Sequence, residues 1–158
     1  MKASSKLMGV VCSVLLTACG GSGDGDSKTG AQIAIIEDGI YNGAQSLTIR
    51  FSSGGTKPDP SSPNIRIHVN AGEVYLEKIL DGKVNGRTGI SSINNGQFSV
   101  ILGRDFAAAK NTKCKGSQTY SGSINTSIAK GSIEGKLDCT DNKGPYQQFL
   151  SGAFNATK

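Results

Sequence analysis

Apolar and polar side chains alternate with a period of two along much of the chain from about residue 31 onward. Residues 64–70 read NIRIHVN, which places three β-branched side chains on one face and Arg66 and His68 on the other. Residues 46–52, which read SLTIRFS, alternate in the same way. Alternation of this kind predicts β-strands that bury one face. Residues 73–80 are interpreted as a returning strand, with a short helix as the alternative.

The C-terminal third of the chain predicts three more strands, over about residues 117–126, 130–139 and 148–157. In each of them apolar residues and glycines share one phase while mainly polar residues share the other, a pattern typical of an antiparallel meander with one solvated face. The Asn-Asn-Gly triplet at residues 94–96 predicts a hairpin turn. Residues 104–111, which read RDFAAAKN, predict the one helical segment, of about two turns.

Glycines lie inside the predicted strands as well as between them, and the chain holds 22 in all. A glycine within a strand indicates a bulge, a bend or a close approach of two backbones, as in a closing barrel. Residues 53–63 hold three of the four prolines and are expected to form a loop. The sequence therefore predicts a single all-β domain, either an antiparallel β-sandwich or a small up-and-down β-barrel of about seven or eight strands.

The first 19 residues carry the features of an export signal. Lys2 and Lys6 are basic, residues 7–16 form an apolar run too short to span a bilayer, and Leu-Thr-Ala-Cys closes the segment at Cys19. This arrangement resembles the lipoprotein signal of bacteria. The resemblance implies that Cys19 receives a diacylglyceryl thioether and becomes the N-terminus after cleavage before it. The alternative is an ordinary secretory signal in which the cysteine falls at this place by chance.

The resemblance divides the chain into a signal peptide over residues 1–18, a lipidated cysteine with a tether over residues 19–31, and a β domain over residues 32–158. Residues 20–30, which read GGSGDGDSKTG, contain no apolar side chain and are typical of a flexible linker. Acyl chains on Cys19 would hold the protein on a membrane that it does not span. The expected location is the cell envelope. The resemblance also implies the outer membrane if the source is Gram-negative, because Gly20 stands where an aspartate would mark retention in the inner membrane of many Gram-negative lipoproteins.

Composition and charge exclude several classes of protein. Charged residues make up only 18% of the chain, so it is not a highly charged disordered protein. Without Lys2 and Lys6 the chain has 15 lysines and arginines against 12 acidic residues, and its one local basic cluster is formed by Lys110, Lys113 and Lys115. Nucleic acid is not an expected partner, because such binding usually needs a denser basic face. No metal site is expected, and no cofactor other than the covalent lipid.

Cys114 and Cys139 are the cysteines that remain once the signal and the lipidation site are set aside. Export places them in an oxidising compartment, which predicts a disulfide between them. The bridge would join residues 25 apart in the chain and staple the open end of a hairpin. The alternative of a reactive thiol pair has no CxxC spacing to support it.

No set of catalytic residues is evident, and an enzyme is not expected. His68 is the single histidine, and the alternation around it predicts that it lies on the exposed face of a sheet. A general base also needs a reacting partner and an orienting group, and the chain contains no GxSxG motif. Glu73 and Glu77 could form a carboxylate pair for glycoside hydrolysis, but a solvated face explains their spacing better.

The candidate binding residues are His68, Tyr75 and Tyr120. Tyrosine suits a contact surface because it buries a large ring and keeps a polar group. Tyr41 and Tyr146 share this interpretation, and core positions are the alternative for all four tyrosines.

The signal, the tether, the strand meander and the late cysteine pair together resemble small all-β lipoproteins of bacterial envelopes. The resemblance implies a lipid-anchored, non-enzymatic binding or adhesion module that meets a protein partner at the envelope. Two alternatives stay open: a periplasmic structural or assembly accessory of a larger envelope complex, and a small-ligand carrier or inhibitor with a cavity inside the barrel.

Overall fold

The structure of the protein is a computed structural model. It describes residues 36–59, 64–109 and 111–158, with the backbone alone for residues 106–109. The predicted signal peptide, the lipidation site at Cys19 and the predicted tether lie outside these residues. Within them, no helix is long and apolar enough to cross a membrane.

The described part of the chain folds into ten β-strands and contains no helix. The long strands follow the period-two pattern, because successive side chains of a strand point to opposite faces of the sheet. In chain order the strands are β1 (Gly39–Phe51), β2 (Thr56–Pro58), β3 (Asn64–Asn70), β4 (Glu73–Leu80), β5 (Lys83–Arg87), β6 (Ser91–Ser92), β7 (Gln97–Ala109), β8 (Thr112–Ile124), β9 (Ile128–Asp141) and β10 (Gly144–Thr157).

These strands form one antiparallel sheet with the order β5-β4-β3-β1-β10-β9-β8-β7, to which β2 and β6 add short pairings with β1 and β4. The first long strand pairs with the last, so the meander returns to its beginning. The two ends of the order also approach each other, since the amide of Gly89, just after β5, donates to the Ile101 carbonyl on β7 at 3.1 Å. The sheet is therefore a nearly closed, eight-stranded barrel, which confirms the all-β prediction and its barrel alternative.

The predicted helix over residues 104–111 is wrong. Strand β7 continues to Ala109, and its backbone pairs with β8 as far as Thr112. The chain then reverses at Asn111, which has a left-handed φ of 73°. The helix propensity of alanine is a weak local preference, whereas pairing with β8 satisfies the backbone groups along the whole segment.

Other local predictions are confirmed. Residues 73–80 form strand β4 and no helix. The predicted turn at residues 94–96 is present, with φ of 49° at Asn95 and 73° at Gly96, as a type I′ hairpin requires. Residues 53–63 are not wholly a loop, because their described part contains the short strand β2.

The core lies inside the barrel and is formed mainly by the apolar phase of the long strands. Ile65 and Ile67 on β3, Val100 on β7 and Ile133 on β9 are all buried in it. Cys114 and Cys139 lie directly opposite each other on β8 and β9 and form a buried disulfide with a Cα–Cα distance of 4.1 Å. The predicted disulfide is confirmed, and it joins the hairpin at its open end.

Two glycines face each other inside the barrel, Gly122 on β8 and Gly131 on β9. A Cβ atom added to Gly131 would collide with the Ser121 carbonyl oxygen and lie 2.8 Å from Cζ of Phe154. The Phe154 ring occupies the space that two side chains would otherwise need. The close approach of backbones that the in-strand glycines predict is found at this pair.

Gly131→Ala is expected to lower the free energy of unfolding by about 1–3 kcal/mol, because an added methyl group must displace the Phe154 ring or the β8 backbone. Urea denaturation of the purified protein measures the change. Gly103→Ala on β7 is the matched control, because an added Cβ there has no atom within 4 Å. We expect a change of no more than about 0.5 kcal/mol for this control, and equal effects of the two substitutions would contradict the packing argument.

Candidate functional site

Two adjacent rows of side chains cross the outer face of β3, β4 and β5. In one row His68 lies opposite Tyr75, and in the next Arg66 lies opposite Glu77, which in turn lies opposite Arg87. These residues share the outer face because their chain neighbours on β3 and β4 point into the barrel, and Arg87 on β5 pairs with Glu77 on the same face. We call these five residues the outer-face cluster.

Glu77 is the electrostatic centre of the outer-face cluster. Its Oε2 atom is 3.0 Å from Nε2 of His68 and 3.7 Å from a terminal nitrogen of Arg66. Its Oε1 atom is 3.6 Å from Nε of Arg87. The Glu77 side chain is only 11% exposed, so solvent and salt screen these interactions less than those of an open surface pair. Two guanidinium groups thus compensate a carboxylate that the surrounding side chains have largely desolvated.

Three flat groups of the cluster are layered on one another. The rings of His68 and Tyr75 stack with their centroids 4.4 Å apart and an interplanar angle of 9°. The Arg87 guanidinium carbon lies 3.9 Å from the centroid of the Tyr75 ring, in a cation–π contact. Glu77 contacts both His68 and Arg87, the two groups that lie on either side of the Tyr75 ring. The orientation of the Tyr75 ring is therefore held from both sides.

The predicted carboxylate pair of Glu73 and Glu77 is divided between two environments. Glu77 forms ion pairs with its basic neighbours, whereas Glu73 is exposed and lies opposite Asn70 beside the hairpin turn. Across the described ranges of the chain, no group of three or more His, Cys, Asp and Glu side chains could hold a metal ion. The parts of the cluster that face solvent are chiefly the guanidinium groups, with Arg66 40% and Arg87 57% exposed.

The structure brings two of the three predicted binding residues together, since His68 and Tyr75 stack on the outer face. Tyr120 does not lie on the surface: its side chain is fully buried inside the barrel, and its hydroxyl donates to Oε1 of Gln45 at 3.1 Å. Burial raises the pKa of this hydroxyl. Tyr120 shares its phase on β8 with Gly122 and Ile124, so the core alternative is correct for it.

The other two tyrosines also pack inward. Tyr41 is buried, and its hydroxyl donates to the Asn125 carbonyl at 2.5 Å. Tyr146 is half-buried against the Phe51 ring. Of the four tyrosines, only Tyr75 therefore contributes to the outer-face cluster.

A second group of polar residues lies in and beside the barrel interior, and we call it the interior polar cluster: Asp59, Lys78, Arg104, Gln118 and Tyr120. Lys78 and Gln118 are fully buried. Burial, and after it the charge of Arg104, lower the pKa of Lys78 to about 8, while Asp59 acts in the opposite direction. Arg104 and Asp59 also act on the hydroxyl of Tyr120. The cluster therefore combines two basic side chains with one carboxylate.

Sequence reasoning missed the interior polar cluster. Lys78 continues the inward phase of Val74 and Leu76 on β4, which was the available signal that this lysine is buried. Gln118 likewise shares the inward phase of Tyr120 on β8. A polar residue on the apolar phase of a strand was thus the clue in both cases.

Fold and side-chain placement together define a class of protein: a nearly closed antiparallel barrel with an ordered arginine–aromatic surface and a charged interior. Comparison of the chain with protein-family models, with curated proteins and with solved structures finds no match.

Proposed function

We propose that the protein is a lipid-anchored, non-enzymatic binding module of the bacterial cell envelope that contacts a protein partner through the outer-face cluster. The observation that carries this proposal is the layered arrangement of His68, Tyr75 and Arg87 around Glu77. Tyrosine and arginine are, with tryptophan, the residue types enriched among those that dominate the energy of protein interfaces. Side chains already ordered before binding lose less conformational entropy when a partner arrives.

The surroundings of the cluster also suit a protein interface. Ile40 on β1 lies opposite His68 on β3 and is 46% exposed, so an apolar side chain borders the stacked rings. Asn42 borders the second row, with its Oδ1 3.5 Å from Nε of Arg66. An apolar contact, an aromatic stack and two guanidinium groups on one sheet face favour a partner that presents an apolar side chain beside carboxylates.

The test uses a photo-crosslinking amino acid at position 40 of the full chain, expressed in intact cells. A discrete crosslinked partner is expected from this position and not from position 136, which is exposed on the far strand β9. Tyr75→Ala and Arg87→Ala are each expected to weaken the crosslink about tenfold or more, as loss of a central interface residue does.

Ile101→Ala and Lys136→Ala are the matched controls, because both residues are exposed and lie outside the outer-face cluster. We expect these controls to leave the crosslink unchanged, and urea denaturation checks that the Tyr75 and Arg87 variants are folded. A crosslink that survives both cluster substitutions in folded protein would refute the proposal.

A further inference from the structure

The interior polar cluster presents polar groups that the described residues do not satisfy. Nζ of Lys78 and both side-chain polar atoms of Gln118 are buried and have no hydrogen-bond partner within the part of the chain that the structure describes. Buried polar groups are nearly always hydrogen-bonded, and leaving one without a partner costs about 1–3 kcal/mol. Two such side chains in one small barrel call for an explanation.

Charge and placement indicate what would satisfy the two donors among these groups, Nζ of Lys78 and Nε2 of Gln118. Lys78 and Arg104 bring two positive groups to a region where, among the residues that the structure describes, Asp59 is the carboxylate that acts on both Lys78 and Tyr120. Gln118 lies opposite Leu102 on β7, two residues before Arg104, so its amide lies diagonally across from the Arg104 position on the inner face. An ammonium, a guanidinium and an amide together are donors suited to an oxyanion.

We propose that the interior polar cluster is a binding site for a small oxyanion, a carboxylate or a tetrahedral phosphate-like group, that accepts hydrogen bonds from Lys78 and Gln118 and lies within the field of Arg104. An eight-stranded barrel has an interior of the size that holds side chains or one small ligand. The site is separate from the outer-face cluster, because Lys78, Arg104 and Gln118 lie on the inner face of β4, β7 and β8, and Asp59 directly follows β2. It gives the chain a ligand-binding activity independent of any protein partner.

The charge state of Lys78 sets the pH dependence of this activity. The pKa of Lys78 is lowered to about 8 by burial and by Arg104, against the opposing effect of Asp59. Tyr120, the remaining titratable member, has a raised pKa and stays neutral through this range. Below pH 8 the ammonium is present and the oxyanion binds directly. Above it the ligand must bring a proton with it, so affinity is expected to fall by up to about tenfold per pH unit.

The experiment is calorimetric titration and thermal unfolding of the full chain in mild detergent, with sulfate and inorganic phosphate as tetrahedral probes and acetate and hexanoate as carboxylate probes. We expect either the tetrahedral or the carboxylate probes to raise the thermal midpoint of the protein and to bind with uptake of protons above pH 8. Lys78→Met is expected to weaken that binding about tenfold or more, since a charge-assisted hydrogen bond is lost. Gln118→Leu is expected to weaken it less, because a neutral amide is lost.

Two variants serve as controls. Lys136→Met, on the exposed face of β9, and Lys83→Met, on the exposed end of β5, should both bind the oxyanion as the unaltered protein does. Absence of binding by all four probes at millimolar concentration would overturn the proposal, as would equal binding by the Lys78→Met variant. If Lys78→Met does not fold, the pH dependence of binding by the unaltered protein is the test. An affinity that stays constant between pH 7 and about 9.5, with no proton uptake, would also overturn the proposal.

Discussion

Loss of the Cys114–Cys139 disulfide is expected to lower the free energy of unfolding by about 3.5 kcal/mol, which would lower the thermal midpoint by about 10–15 °C for a domain of this size. The bridge joins residues 25 apart in sequence and so restricts the unfolded chain. The loss is large relative to the total stability of a domain, which is usually about 5–15 kcal/mol.

Two versions of this experiment separate the cross-link from the packing of its sulfur atoms. Reduction of the unaltered protein keeps both buried sulfurs, whereas the double variant Cys114→Ala and Cys139→Ala also removes them from the core. We expect the double variant to be the less stable of the two, because it leaves a cavity beside the β8–β9 pair. Thermal and urea denaturation measure both, and an unfolding midpoint that reduction leaves unchanged would show that the bridge contributes no stability.

Replacement of Cys19 by alanine is expected to release the protein from the membrane completely. The proposed lipid anchor depends on the thiol of Cys19, and each buried CH₂ of an acyl chain contributes about 0.8 kcal/mol to membrane binding. Incorporation of radiolabelled palmitate and fractionation of cells into membrane and soluble material measure the effect. The unaltered protein should carry the label and sediment with the membrane, and Cys19→Ala should do neither.

The chain contains its own control for this experiment. Cys12 lies in the apolar run of the predicted signal, with valines at positions 10 and 11 where a lipidation site needs a small residue before the thiol. Cys12→Ala should leave both the label and the membrane fraction unchanged. Label retained in Cys19→Ala and lost in Cys12→Ala would place the lipid on the wrong cysteine and refute the assignment.

The pairing of His68 with Tyr75 follows from the position of the turn between β3 and β4. A two-residue turn at Ala71 and Gly72 makes Asn70 and Glu73 partners, and counting outward from them places His68 opposite Tyr75 and Arg66 opposite Glu77. Arg87 could not be reached in this way, because the β4–β5 register shifts between Lys78 and Ile79. An irregularity of that kind depends on packing across the sheet and leaves no mark on the alternation of either strand.

The sequence by itself determined the all-β class, the phase of the long strands other than the end of β7, and the disulfide, because a period of two assigns each side chain to a face and a hairpin brings neighbouring strands together. Only the tertiary structure decided that the sheet nearly closes, through the Gly89–Ile101 hydrogen bond between distant segments. Closure converts one face of a sheet into an enclosed interior. Tyr120 and Lys78 share the phase of their apolar neighbours, but they became a buried ring and a buried charge only because the two edges of the sheet approach each other.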